Sequence, residues 1–530
     1  MKRYLLGVLA LAFLAGCTQP KAGGEEGSGV KAHNPVIFAD VPDIAMVRVG
    51  DAYYMASTTM HMNPGLPIMK STDLVNWVLV SYAYDELVDN SQMNLEDGAN
   101  AYGAGSWAPS IRYHDGLFYV TTFSSTSGKT HIYTTSDPEN EPWKGHSFEP
   151  MLHDHSLFFD DDGKVYMLYN GGDIKIVELE PDLSGLKPGG LHEVIIPDAG
   201  KVAAEDLMLH AEGTQLFKYN DKYYVFNITW PRNGMRTVVI HRADEITGPY
   251  EGRVALQDRG IAQGCIIDTP EGDWYAYLFR DYGAVGRIPY IVPMEWEDGW
   301  PVLGKDGVVP DTLDIATANI NAAGIVASDE FERAPGEREF PLAWQWNHNP
   351  EEEYWSLSQR PGFLRLTNGR VDGDVLQTLN TLTQRTFGPK STAETALELD
   401  GMKDGDFAGI LALQRHYGYV GVKMEKGEKF LIMVRSENDA PVEKEILPLT
   451  SERVYLKIAC DFSEMTDQAV FFYSLDGEDW QELGDTLAMR YTLPHFMGYR
   501  FGLFSFATAE TGGYVDFDYY RVGAGDAALE

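Results

Sequence analysis

Asp43, Asp154 and Glu212 are carboxylates whose spacing and surroundings suit acid–base chemistry. Counting back nine residues from the turn residues Gly163 and Asp221 reaches Asp154 and Glu212. The same count reaches Trp107 from Gly116 and Gln263 from Gly272, while Asp43 lies seven before Gly50. The acids are set among apolar residues: Asp43 follows IFADVP, Asp154 precedes HSLFF and Glu212 precedes GTQLF. A carboxylate in such surroundings needs partners or a task. Hydrolysis of a glycosidic bond gives it one: a carboxylic acid protonates the leaving oxygen, and a carboxylate activates water or attacks the sugar carbon. Like charges brought together hold a proton on one member near neutral pH. The spacing alone does not say which.

The elements that must position these residues repeat along the chain. VGDAYYMAS, HDGLFYVTTF, DDGKVYMLY, NDKYYVFNI and EGDWYAYLF each join a Gly or Asp/Asn turn to a short aromatic, β-branched strand, which is a hairpin signal. Their recurrence at about fifty to seventy residues suits four-stranded blades with variable loops. Five such units predict a five-bladed β-propeller. The strand before each hairpin turn would be innermost, so Asp43, Trp107, Asp154, Glu212 and Gln263 would all face the central axis. Trp77 in DLVNW reads as a blade-packing residue. Asp160, Asp161 and Asp162 precede Gly163 in the hairpin position and read as a solvated turn, without the downstream Glu of an EF-hand. A structural calcium ion is not indicated, and the chemistry requires no cofactor or metal.

A formal charge of −37 disfavours nucleic acid or an anionic membrane surface as partner. The N-terminus reads as a targeting segment: Lys2 and Arg3, an apolar run, then Leu14-Ala15-Gly16-Cys17. It resembles a bacterial lipoprotein signal over residues 1–17, which implies lipidation of Cys17 and an exported, membrane-anchored protein, periplasmic or at the cell surface. Residues 18–32 are Gly-rich and polar, a flexible tether. Cys265 and Cys460 fall in different predicted domains and read as buried thiols rather than a disulfide.

Residues 33–310 resemble glycoside hydrolase family 43. NPVIFADVPD, RVGDAYYM, STDLVNW, GSWAPSIRYHDGLFY, HDHSLFFDDDGKVY, HAEGTQLFKYNDKYY, TPEGDWYAYLF, AVGRIPY and WEDGWPV stand in family order. The resemblance implies a five-bladed propeller and inversion at the anomeric carbon. It also implies roles: Asp43 as general base, Asp154 as the residue that orients the acid and raises its pKa, and Glu212 as general acid. Inversion implies a base–acid separation of roughly 6.5–9.5 Å. The resemblance further implies substrate contacts for Trp107 as a sugar platform, for Arg287 as a donor to sugar hydroxyls, for Gln263 where relatives carry an axial His, and for His61 in the loop TMHMNPG. The alternatives are a core Trp, a structural ion pair at Arg287 and a core His. Two departures stand beside the acids. His155 replaces the usual Pro and would loosen the turn after Asp154, and Thr214 and Gln215 follow Gly213.

After a connector at 311–327, residues 328–530 carry short alternating strands such as FAGILALQR, VYLKIACDF and VDFDYYRVG. They predict a β-sandwich of jelly-roll type, resembling the concanavalin-like domain that follows many family 43 enzymes. Segments near Asp329 and Val522 would pair as edge strands. The sandwich either completes a wall of the active site or serves stability. The whole reads as an exo-acting α-L-arabinofuranosidase on plant cell-wall polysaccharide such as arabinoxylan or arabinan. A β-xylosidase is the alternative within the class and a non-catalytic glycan-binding lipoprotein the alternative outside it. A sialidase-like propeller lacks its Asp-box repeats and arginine triad here.

Overall fold

The computed structural model describes residues 29–334 and 340–525. Cys17 and the leader lie outside the described residues. The described chain is all-β, with only 3₁₀ turns between strands.

Five antiparallel four-stranded sheets come first. Their inner strands are Ala45–Val49, Ser110–His114, Ser156–Phe159, Leu207–Tyr219 and Ala262–Asp268. Each inner strand neighbours the next around a ring, and the fifth returns to the first. These are the five blades expected from the repeat. The hairpin turns lie where the Gly and Asp/Asn signals stand: Val49 pairs with Ala52, His114 with Leu117, and Tyr219 with Lys222. Trp77 is fully buried with its ring edge on Tyr277, a packing residue between the first and fifth blades. The ring is closed from both sides of the chain. Asn34 donates to the carbonyls of Ile291 and Pro310, and Arg48 pairs with Asp268. Lys31 and Ala32, expected in the tether, are docked instead: Ala32 is buried and its N–H donates to Ile315 O.

The remaining strands build two large packed sheets, the sandwich. One pairing expectation needs correction. Asp329 does bridge Tyr520, yet the last strand, Tyr514–Gly523, is not an edge. It lies between Leu364–Thr367 and Lys390–Glu398, so its apolar residues Val515, Phe517 and Tyr520 are buried. Pairing on both sides leaves this strand no open ladder of unpaired N–H and C=O groups.

Propeller and sandwich are stitched by main-chain pairing. Met62–Asn63, from the first blade, adds as a strand to Gln345–Asn347 of the sandwich. Gln345 donates to Thr59 Oγ1 and Pro64 O, and Asn63 donates to Asn349. Asp40 accepts from Arg287 N–H on the propeller and Gly498 N–H on the sandwich. Buried donors and acceptors satisfied across a boundary fix its geometry, because each would cost about 1–3 kcal/mol if left unpaired. Cys265 and Cys460 are both buried free thiols.

Candidate active site

The backbone itself prepares the axis. Asp43, Asp154 and Gln263, equivalent residues in three blades, all have left-handed φ, at 55°, 46° and 56°. Asp is among the residues that tolerate this region, and a bulky Gln there is unusual. The turn swings each side chain from the strand onto the axis. Glu212 reaches it differently, from within a long, bulged strand. Gly213 follows with φ 63°, and a Cβ there would lie 2.7 Å from the Gln263 side chain. Only glycine fits between acid and axis.

Asp43 is the most tightly held of the three. Arg287 Nη1 donates to both its carboxylate oxygens, at 2.9 and 3.0 Å, and Gln263 Nε2 donates to Oδ1 at 2.9 Å. Burial pushes its pKa up; Arg287 opposes that and Asp154 adds to it, leaving about 6. Asp154 is buried, with Oδ2 accepting from Gly213 N–H at 2.9 Å. This bond ties Asp154 to the residue after Glu212. The Glu212 carboxylate makes no hydrogen bond to another described residue. Burial, with the charges of Asp154 and Asp43 added, pushes its pKa up to about 8, against a smaller opposing effect of Arg236. Beneath the acids the axis narrows to a cavity of about 10 Å³ lined by Asp43, Asp154, His155 and Gln263 among others. That is room for one water at most. The floor is blind.

His155 does not loosen the turn. Its Nδ1 lies 2.8 Å from Leu152 O and its Nε2 2.7 Å from Thr121 Oγ1, so a buried imidazole pins the segment that proline would have stiffened. Arg287 takes the ion-pair role: its remaining Nη2 donates to Phe496 O at 3.2 Å, so its terminal nitrogens are engaged by protein. Gln263 is engaged by Asp43. Trp107 stacks on Phe123 at 6.1 Å and lies 4.9 Å from Phe496, with Nε1 buried and unpartnered. His61 is not brought to an open surface. It is fully buried at the domain boundary against Tyr102 and His348, with Nε2 3.0 Å from Asn347 Oδ1, and burial pushes its pKa down to about 3. The Asp160–Asp162 turn is held by Lys218 and Tyr223.

The sequence left several neighbours unseen. Phe496, on the sandwich, places its ring over the Arg287 guanidinium at 4.8 Å and against Trp107. The second domain therefore forms a wall of this site. Arg236, in the turn between the second and third strands of the Glu212 blade, pairs with Asp281 at 2.7 Å, and Asp281 sits opposite Arg287 in the fifth blade. Alternating charge thus runs from beside Glu212 through Arg236, Asp281 and Arg287 to Asp43. An arginine in a loop after AEG was a legible hint; Phe496, 209 residues beyond Arg287, left none. Among the described residues, His153, Asp154 and Glu212 hold ligand atoms within 4.8 Å of one another.

A recessed set of carboxylates of unequal proton affinity is built for acid–base hydrolysis. Residues 32–301 match the family model described as Glycosyl hydrolases family 43. The chain is a family 43 glycoside hydrolase. Residues 328–523 of this family 43 enzyme match a second model, Beta xylosidase C-terminal Concanavalin A-like domain. The enzyme is 28% identical to a beta-xylosidase of Formosa agariphila over 95% of this chain and 92% of that one. It is 27% identical to a non-reducing end alpha-L-arabinofuranosidase of Bacteroides ovatus, covering 79% of this chain and 81% of that one. A solved structure described as a bifunctional GH43-CE from Bacteroides eggerthii superposes with a TM-score of 0.93 at 57% identity over 94% of this chain. The enzyme spans 64% of that longer protein.

Proposed function

We propose that this family 43 enzyme is an exo-acting, inverting hydrolase that releases terminal α-L-arabinofuranose from plant polysaccharides such as arabinoxylan or arabinan. Asp43 acts as general base, Asp154 orients the acid and raises its pKa, and Glu212 acts as general acid. The carrying observation is the unlike setting of two buried carboxylates: Asp43 is clamped by Arg287 and Gln263, while Glu212 stands beside Asp154 without a hydrogen bond from another described residue, which leaves the Asp43 pKa at about 6 and raises that of Glu212 to about 8. Near neutral pH the first is ionised and the second protonated, as base and acid must be.

In the reaction, the Glu212 carboxyl gives its proton to the glycosidic oxygen as the bond to the anomeric carbon breaks. A water on the opposite face loses a proton to Asp43 as its oxygen bonds that carbon. Arg287 and Gln263 hold the Asp43 carboxylate in one orientation for this transfer. Asp154, fixed by Gly213 N–H, keeps negative charge beside Glu212 and favours the protonated acid. The carboxylates need no cofactor for these steps. Trp107, with Phe496 packed against it, offers an aromatic face to the apolar side of a pentose.

The opening NPVIFADVPD and the TMHMNPG loop resemble a branch that holds both arabinofuranosidases and β-xylosidases; arabinofuranose is supported by the Bacteroides ovatus relative. β-D-Xylosidase is the second reading, favoured by the name of the Formosa relative and of the C-terminal domain. Nitrophenyl α-L-arabinofuranoside, α-L-arabinopyranoside and β-D-xyloside, followed by arabinoxylan, decide between them. Preference for the xyloside would overturn the arabinose reading, and binding without cleavage of any pentoside would overturn the hydrolase reading. Proton NMR of the first-formed sugar must show the inverted anomer. Export and lipid anchoring through Cys17 belong to the same proposal. A Cys17→Ser chain that still sediments with membranes would sink that part.

A further inference from the structure

One side chain at the rim of the carboxylate cluster has no part in the hydrolysis just described. His153 precedes Asp154, is about two-fifths exposed at its side chain, and packs its ring against Phe123 at 5.1 Å. Its Nε2 lies 4.0 Å from Asp154 Oδ1. The other oxygen, Oδ2, is the one fixed by Gly213 N–H, so Oδ1 is the oxygen turned toward the imidazole. Glu212 completes the group, with all three ligand atoms within 4.8 Å of one another.

We propose that His153, Asp154 and Glu212 form a reversible inhibitory site for a borderline divalent cation, with Zn²⁺ as the best fit. Imidazole nitrogen and carboxylate oxygen are both ligand types of zinc, and zinc sites with three protein ligands keep the fourth position for water. A tetrahedral ion with bonds near 2.0–2.2 Å sets its ligands about 3.4 Å apart. The present spacing contracts to that by rotation of the part-exposed His153 against Phe123 and of the Glu212 carboxylate, which no other described residue hydrogen-bonds. Asp154 need not move. Its Gly213 hydrogen bond is the kind of outer support that orients a ligating carboxylate. Nitrogen in the set selects against Mg²⁺ and Ca²⁺, which prefer all-oxygen sites. Two adjoining carboxylates, with Asp43 behind them, also favour a dication electrostatically.

A metal here would bond the oxygen through which Glu212 delivers its proton. Occupancy therefore abolishes turnover rather than assisting it. That consequence rests on Glu212 as the general acid; the binding itself does not.

The test uses the full chain freed of metal with EDTA. Calorimetric titration with ZnCl₂ should show one site per chain that MgCl₂ does not displace. Aryl pentoside hydrolysis should fall with the same midpoint and return on adding EDTA. His153→Ala should keep the rate measured in EDTA and lose about tenfold or more in zinc affinity and sensitivity. His153→Asn serves as a second variant should the first fail to fold. Equal zinc affinity in wild type and variant, or full wild-type activity in millimolar zinc, overturns the proposal. Failure of the hydrolase reading looks different: no turnover in EDTA, with calorimetry still reporting the site.

Discussion

Replacing the proposed acid should make the enzyme more stable while disabling it. Folding raises the Glu212 pKa from the ordinary 4.5 to about 8, chiefly by burial and by the adjacent Asp154 and Asp43 charges. The folded state therefore binds the proton more tightly than the unfolded chain. This contribution to stability is complete below about pH 4.5 and is lost progressively as pH rises toward 8. Each unit is worth about 1.4 kcal/mol, so at about pH 7 holding this proton costs roughly 3 kcal/mol, and at about pH 5 less than 1 kcal/mol. Glu212→Gln has the shape of the protonated acid without the proton to hold. The variant should gain on the order of 3 kcal/mol over wild type near pH 7 and little near pH 5, read as denaturant midpoints at the two pH values. Turnover should fall by about 10²–10⁴ on a sugar leaving group and less on nitrophenol, which departs without protonation. A variant equally shifted at both pH values, or destabilised near pH 7, would refute the account of Glu212 as a buried, proton-holding acid.

Wild-type kcat/KM should follow a bell with limbs near pH 6 and 8, from ionisation of Asp43 and Glu212 respectively; a flat profile across that range would contradict both assignments. Arg236→Gln removes a charge that lowers the Glu212 pKa, so the alkaline limb should move upward while the acid limb stays, as pH–rate curves of the two proteins would reveal. Asp43→Asn leaves buried Arg287 without its counter-charge. It should cost about 3–5 kcal/mol of stability by denaturant titration and remove nearly all turnover. Phe496→Ala withdraws the sandwich's ring from Trp107 and Arg287. KM for an aryl pentoside should rise by roughly threefold to tenfold, reflecting an aromatic contact of about 0.5–1.5 kcal/mol.

Much of this was legible before folding because it is local. A turn residue followed by a β-branched, aromatic strand specifies a hairpin within about ten residues of chain, whatever lies around it. Five such hairpins, read in register, placed Asp43, Trp107, Asp154, Glu212 and Gln263 toward one axis; the structure has the five four-stranded blades, with Asp43, Asp154 and Gln263 around one small cavity and Glu212 beside Asp154. Where tertiary context intervenes, local reading fails. His155 reads as a weakened turn, yet Thr121 and Leu152 capture both its ring nitrogens. His61 reads as a loop residue near sugar, yet the sandwich closes over it through Asn347 and His348. The last strand reads as an edge, yet another segment pairs with its far side.

The sequence by itself determined which carboxylates the enzyme has and the number of blades, because repeat spacing and turn chemistry are properties of neighbouring residues. Only the tertiary structure decided how those carboxylates differ. Burial, the clamp of Arg287 and Gln263 on Asp43, the Arg236–Asp281 link and the Phe496 ring each join residues far apart in the chain. A pKa depends on every charge and dipole within a few ångströms, whichever segment supplies it.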